Sequence, residues 1–121
     1  MTLVETWREL AALEPKVFSV PEGETLLHIF PIPVGFGIDG WAALLLVGPL
    51  CQWMAECWPE SYVRATFVSF DGTPGTGGTW EATGTRGKWW PSPIVAVGDT
   101  QPLALAQLAL QFLKAEHVAR Q

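Results

Sequence analysis

Apolar side chains at Leu3, Val4, Trp7, Leu10 and Ala11 recur at helical spacing, while Glu5, Arg8, Glu9 and Ala12 occupy the opposite side. Thr2 and Glu5 stand at capping-box spacing, the hydroxyl serving a free N–H of the first turn and the carboxylate reaching back. Pro15 disfavours helical geometry in the residue before it, so the helix is expected to end at Glu14. Two β-rich runs follow, Lys16 to Val20 and Thr25 to Phe30, around Pro21-Glu22-Gly23-Glu24, and they predict a hairpin. Pro31, Pro33, Gly35 and Gly37 then rule out a regular ladder and predict an apolar loop.

Further along, Trp41 to Val47 predicts a helix capped by Asp39 or Gly40 and broken at Gly48-Pro49; Pro49 suits the first position of a second segment, Leu50 to Trp58, which Pro59 ends. Ser61 to Phe70 alternates, with Val63, Ala65 and Phe67 on one face and Tyr62, Arg64 and Thr66 on the other, the pattern of a half-buried strand. A glycine-rich loop over Asp71 to Gly78 leads to a return strand from Gly78 to Thr85. A third strand is expected over Lys88 to Val97, with Pro91 and Pro93 holding its first half at an edge. Asp99 or Thr100 caps the last helix. Leu105, Leu108, Ala109 and Phe112 form its apolar face, Gln107, Gln111 and Lys114 its polar one, and Leu103 and Leu110 lie between, half buried.

These elements add up to an α+β fold. We expect a small, mostly antiparallel sheet of about four to five strands, covered by N-terminal, middle and C-terminal helices in an α/β/α sandwich-like arrangement. The 121 residues carry no linker, repeat or charge run and read as a single domain spanning 1–121.

Composition narrows the function. A hydrophobic content of 49% with seven tryptophans describes a chain with a real core. The net charge of −5 is uneven: residues 1–60 hold eight acids against two bases, and residues 61–121 four against five. A non-specific nucleic-acid binder is usually basic, so this balance argues against that role. The longest apolar run, Trp41 to Cys51, is interrupted by Gly48-Pro49 and falls well short of the roughly 20 residues of a membrane span. Cys51 and Cys57 lie six positions apart on one predicted helix, about 9 Å of rise, too far for a disulfide. They read as buried thiols of a reducing compartment, and the early acid Glu5 is unlike a signal peptide, so a cytoplasmic location is expected.

Candidate chemistry is sparse. Gly35-Phe36-Gly37-Ile38-Asp39-Gly40 matches the dinucleotide fingerprint, with Glu60 twenty positions beyond the last glycine. Asp39 would nonetheless set a negative charge against the pyrophosphate, and Glu60 precedes a strand instead of ending one. Gly84-Thr85-Arg86-Gly87-Lys88 falls short of a phosphate loop: Ala82 stands where its first glycine belongs, and Trp89 replaces the magnesium-binding hydroxyl. His28 and His117 are not at metal-ligand spacing with any cysteine or acid, and no Gly-x-Ser-x-Gly elbow exists. No catalytic residue, cofactor or metal is therefore assigned.

Two surfaces stand out. In Arg86-Gly87-Lys88-Trp89-Trp90-Pro91, two cations adjoin two tryptophans, suited to stacking on bases or clamping a protein. A strand there would instead send Trp89 and Trp90 to opposite faces, burying one in each layer. The acids Glu5, Glu9, Glu14, Glu22, Glu24 and Asp39 form either a solvated face or, gathered by the fold, an imitation of a phosphate backbone.

From Pro49 onward the order helix, strands, helix ends in Gly98-Asp99-Thr100-Gln101-Pro102-Leu103-Ala104-Leu105, after a tryptophan-bearing strand. This stretch, with Gly48-Pro49-Leu50 ahead of the middle helix, resembles the phage ABA-sandwich family of small bacteriophage proteins. The resemblance covers residues 49–115, about half the chain, and departs at the loop 73–78 and throughout the N-terminal third. It implies a phage or prophage origin and a sheet covered by helices, and brings no activity with it.

The resulting expectation is a small non-enzymatic phage-type protein acting by protein–protein interaction, as an inhibitor of a host defence or nucleic-acid-processing complex. The expected interaction residues are Glu5, Glu9, Glu22, Glu24, Arg86, Lys88, Trp89 and Trp90. The alternative is a single-stranded nucleic-acid-binding module using the Arg86–Trp90 turn. The expected partner is a host or phage protein, with nucleic acid second and no membrane. The apolar loop 31–38 and the half-buried Leu103 and Leu110 leave a homodimer open.

Overall fold

The computed structural model describes residues 2–20, 26–30, 36–37, 43–70, 77–87 and 93–120. It is an α+β structure built from helices α1 (Leu3–Leu13), α2 (Val47–Cys57) and α3 (Gln101–Arg120) and six strands. The strands are β1 (Phe18–Ser19), β2 (Leu26–Ile29), β3 (Phe36–Gly37), β4 (Tyr62–Ser69), β5 (Gly78–Thr85) and β6 (Ile94–Gly98). They form two antiparallel three-stranded sheets, β1-β2-β3 and β4-β5-β6, in place of the single larger sheet expected.

Local signals account for the first helix. Thr2 is the N-cap, its hydroxyl accepting from the Glu5 N–H at 3.2 Å, and the Glu14 N–H closes the far end on the Leu10 carbonyl. The hairpin pairs Phe18 with Ile29 and Ser19 with His28. The loop expected over 31–37 contains a short strand instead: Phe36 and Gly37 pair with Leu27 and Leu26. An extended backbone next to an edge can satisfy its polar groups there even between prolines and glycines.

The middle helix also differs from expectation. Gly48 and Pro49 lie inside the first turn of α2, and the interruption comes earlier, at Leu45–Leu46. Proline is accepted in a first turn because its missing N–H would have no intrahelical partner there. The first closing bond runs from the Leu50 N–H to the Leu46 carbonyl at 3.0 Å.

Helix α3 is the centre of the molecule. It packs on β4, β5 and β6 on one side and on α1 and α2 on the other. Thr100 is its cap, accepting from the Leu103 N–H at 3.3 Å. Between Pro102 and Leu113 only Gln107 and Gln111 escape full burial, and Leu103 and Leu110, expected half buried, are buried. A helix enclosed by a sheet and two helices has almost no solvent side, so its polar stripe narrows to those two glutamines.

Small residues let α3 approach the sheet closely. Ala82 and Ala96 face each other across β5 and β6. A Cβ added at Gly84 would lie 3.1 Å from Phe112 Cζ and 3.2 Å from Leu108 Cδ2. From Phe112 the core continues through aromatic rings. Trp7, Phe18, Trp53, Trp58 and Phe112 form a chain of edge-to-face contacts, with ring centroids 5.1, 4.8, 5.4 and 5.3 Å apart. Each such contact contributes about 0.5–1.5 kcal/mol beyond area burial. Two of these indoles also have acceptors: Trp7 Nε1 donates to the His28 carbonyl at 3.0 Å, and Trp58 Nε1 to Glu116 Oε2 at 3.1 Å.

Candidate interaction surface

The sheet β4-β5-β6 has one covered face and one open face. Its covered face is defined by the buried Ala82 and Ala96 and the half-buried Val63, Ala65 and Ile94 beneath α3. Side chains alternate along a strand, so the positions between them point the other way, where no described element packs.

Register arranges the open face in rows. Tyr62 stands opposite Thr85; Arg64, Thr83 and Val95 form the next row, Thr66, Glu81 and Val97 the third, and Val68 stands opposite Thr79. Tyr62, Val95 and Val97 are 58%, 51% and 54% exposed, large values for such side chains. Among the described residues the face carries one cation, Arg64, and one anion, Glu81, among threonines and valines. Arg64 lies along its own strand, its Nε donating to Thr66 Oγ1 at 3.1 Å. This composition can dock against a protein surface by shape and apolar contact, and it holds no nucleophile with a base.

The structure redistributes the residues expected from sequence. Glu5 is exposed but accepts from the Thr2 hydroxyl at 3.0 Å. Glu9 forms an ion pair with Lys114 of α3 at 3.6 Å. Both acids thus have local structural partners. Arg86, just beyond β5, is half buried and not a projecting cation. Glu22, Glu24, Lys88, Trp89 and Trp90 lie outside the described residues, as do Asp39 and the rest of the glycine-rich match beyond Phe36–Gly37. That pair is extended and hydrogen-bonded to β2, where the dinucleotide fingerprint needs a tight turn opening a helix.

Alternation in the sequence puts Tyr62, Arg64 and Thr66 together on one face of β4 without marking that face as open. The available signal was the row of threonines at 79, 83 and 85, which occupy the matching phase of β5 and leave that face polar-to-apolar with little charge.

The thiols offer no reactive centre. Both are free; Cys51 is half buried, while Cys57, expected to be buried, is exposed because it ends α2 beyond the buried Trp53 and Met54. Burial pushes the Cys51 thiol above its ordinary pKa. The part of Cys57 that packs on the protein raises its pKa too, with further contributions from the carboxylates of Glu14, Glu116 and Glu56. A thiol held protonated is a weak nucleophile. Among the described residues no three His, Cys, Asp or Glu side chains are grouped to hold a metal ion, and no helix is long and apolar enough to cross a membrane. No family model matches the chain, and neither does any curated protein or solved structure.

Proposed function

We propose that this chain is a non-enzymatic protein that acts by protein–protein interaction through the outer face of β4-β5-β6. The observation that carries this reading is the exposure of Tyr62, Val95 and Val97 on a sheet whose other face is covered by α3. Antiparallel sheets can leave one face to water, but that face is then usually strongly polar, and here valines and an aromatic ring occupy it. Low charge around an aromatic anchor suits a protein surface. It does not suit phosphate, which a single arginine on this face would neutralise poorly.

In its finer form the partner is a host or phage protein, and binding inhibits a host defence or nucleic-acid-processing complex. The partial resemblance to small phage proteins and the acidic N-terminal half support that form.

The test is affinity capture from uninfected and phage-infected bacterial lysate, with and without nuclease, using the wild type and the double variant Val95→Glu/Val97→Glu. We expect a nuclease-resistant protein partner that the double variant no longer retains. Retention unchanged in the double variant removes this face from the interaction. Loss of all capture on nuclease treatment transfers the assignment to nucleic acid.

A further inference from the structure

The edge of β4 has a phase and a charge arrangement that fit a second copy of the same strand. The Phe70 N–H donates to the Gly77 carbonyl at 2.9 Å, one step beyond the Ser69–Gly78 pair. In an antiparallel ladder, hydrogen-bonded and non-hydrogen-bonded pairs alternate. Tyr62, Arg64, Thr66 and Val68 therefore direct their backbone groups into β5, and Val63, Ala65, Phe67 and Ser69 direct theirs outward. The eight-residue pairing with β5 runs without a bulge, β4 contains no proline or lysine, and among the described residues no strand pairs with its outer edge. The opposite edge, β6, is shorter and by the same alternation turns only Val95 and Val97 outward.

We propose that two copies of this chain associate through antiparallel β4–β4 pairing about a two-fold axis at Ala65, forming a continuous six-stranded sheet. A two-fold axis perpendicular to the sheet keeps both α3 helices on one side. Directly opposite residues must share a face, which restricts the axis to a residue position and not to a point between residues. With the axis at Ala65, Val63 exchanges backbone bonds with the partner's Phe67 and Ala65 with the partner's Ala65. Phe67, 47% exposed beside Trp80 on the helix side of the sheet, gains a cover. On the open side Tyr62 meets the partner's Val68 in a non-hydrogen-bonded pair, where side chains come closest.

Charge selects this register. Arg64 falls opposite the partner's Thr66, which stands beside the partner's Glu81, two strand spacings or about 10 Å away between backbones. An extended arginine and glutamate close that gap. The symmetry makes the contact twice, each time between the cation of one open face and the anion of the other. An axis at Thr66 moves the partner's Glu81 about 7 Å further along the strand and sets Arg64 against the partner's Val68. The association leaves Val95 and Val97 of the outer face exposed, and it is independent of the proposed function because it is read on purified protein alone.

Sedimentation analysis of the full chain from dilute to concentrated solution, paired with amide exchange by NMR, tests the proposal. We expect a dimer whose Val63, Ala65 and Phe67 amides gain protection as it forms. Arg64→Glu or Glu81→Arg alone weakens association by about tenfold, and the double exchange restores it. Arg64 is exposed and Glu81 half buried on the open face of the sheet, so circular dichroism of each variant should match the wild type. A monomer at every concentration overturns the proposal. So does a dimer indifferent to the charge exchanges, or one in which the three β4 amides exchange as freely as in dilute solution.

Discussion

Gln107 Nε2 donates to Thr6 Oγ1 at 2.7 Å, tying α1 to α3 across 101 positions of sequence. Thr6 is fully buried, and its hydroxyl in turn donates to the Thr2 carbonyl at 2.8 Å. One hydroxyl thus serves the first turn of α1 and the narrow polar stripe of the central helix. Replacing it by the near-isosteric Thr6→Val removes both bonds while keeping the volume. The expected loss is about 0.5–1.5 kcal/mol, because a half-buried amide then loses an acceptor. Thr6→Val/Gln107→Leu should lose less than the sum of the single changes in urea unfolding, and strict additivity would show that the two side chains do not interact.

Gly84 and Gly87 provide a steric contrast. A Cβ at Gly84 would stand 2.5 Å from the Tyr62 carbonyl oxygen as well as against Phe112 and Leu108, whereas at Gly87 it meets nothing within 4 Å. Gly84→Ala should destabilise by about 1–3 kcal/mol, the cost of overpacking against a backbone that cannot easily move. Gly87→Ala should stay within about 0.5 kcal/mol of wild type. Equal melting temperatures for the two variants would contradict the close approach of α3 to the sheet.

Phe18 lies between Trp7 and Trp53 in the aromatic chain. Phe18→Leu keeps most of the apolar surface but removes two edge-to-face contacts, an expected loss of roughly 1–3 kcal/mol. Phe18→Ala adds a cavity and should cost about 3–5 kcal/mol. Chemical denaturation measures both, and a loss for Phe18→Leu as large as for Phe18→Ala would assign the effect to something other than ring geometry.

The cysteines predict an alkaline signature. Both thiols are raised above the ordinary pKa in the folded chain, so the folded state holds their protons more tightly than the unfolded state does. Their contribution to stability is complete below the ordinary thiol pKa and is lost as pH rises past it and through the folded value. Replacing both by serine should flatten the fall in melting temperature over that alkaline window. Alkylation of Cys57 should show its midpoint above that of the unfolded chain, and Glu116→Gln should lower it while keeping an acceptor for Trp58. An unchanged midpoint would remove Glu116 from the causes.

Much of the element plan could be read from local pattern. The Thr2 cap, the alternation over Ser61 to Phe70 and the return strand from Gly78 to Thr85 depend on neighbours within a few residues, and each is found where expected. Pro49 stands in the first turn of the second segment, close to where it is expected, but the break lies earlier, at Leu45–Leu46, because the first turn accepts Gly48 and Pro49 within the helix. Phe36–Gly37 forms a strand only because β2 supplies its partner.

The surface was less legible. Glu5 and Glu9 are visible as acids in the sequence, and capping-box spacing already ties Glu5 to Thr2, but the Lys114 that pairs with Glu9 becomes apparent only from the packing of α1 on α3. Conversely, alternation assigned Tyr62, Arg64 and Thr66 to one face of β4 without saying whether that face would be covered. Coverage was decided by α3, which lies against the alanine and glycine face of β5 and β6 because only small residues allow so close an approach. Short-range chemistry in the chain determined which segments are helices and strands, since caps, alternation and proline act over one turn or one strand. The tertiary structure decided the division into two sheets, the burial of Leu103 and Leu110, and the open outer face, because each depends on which distant element comes to rest against it.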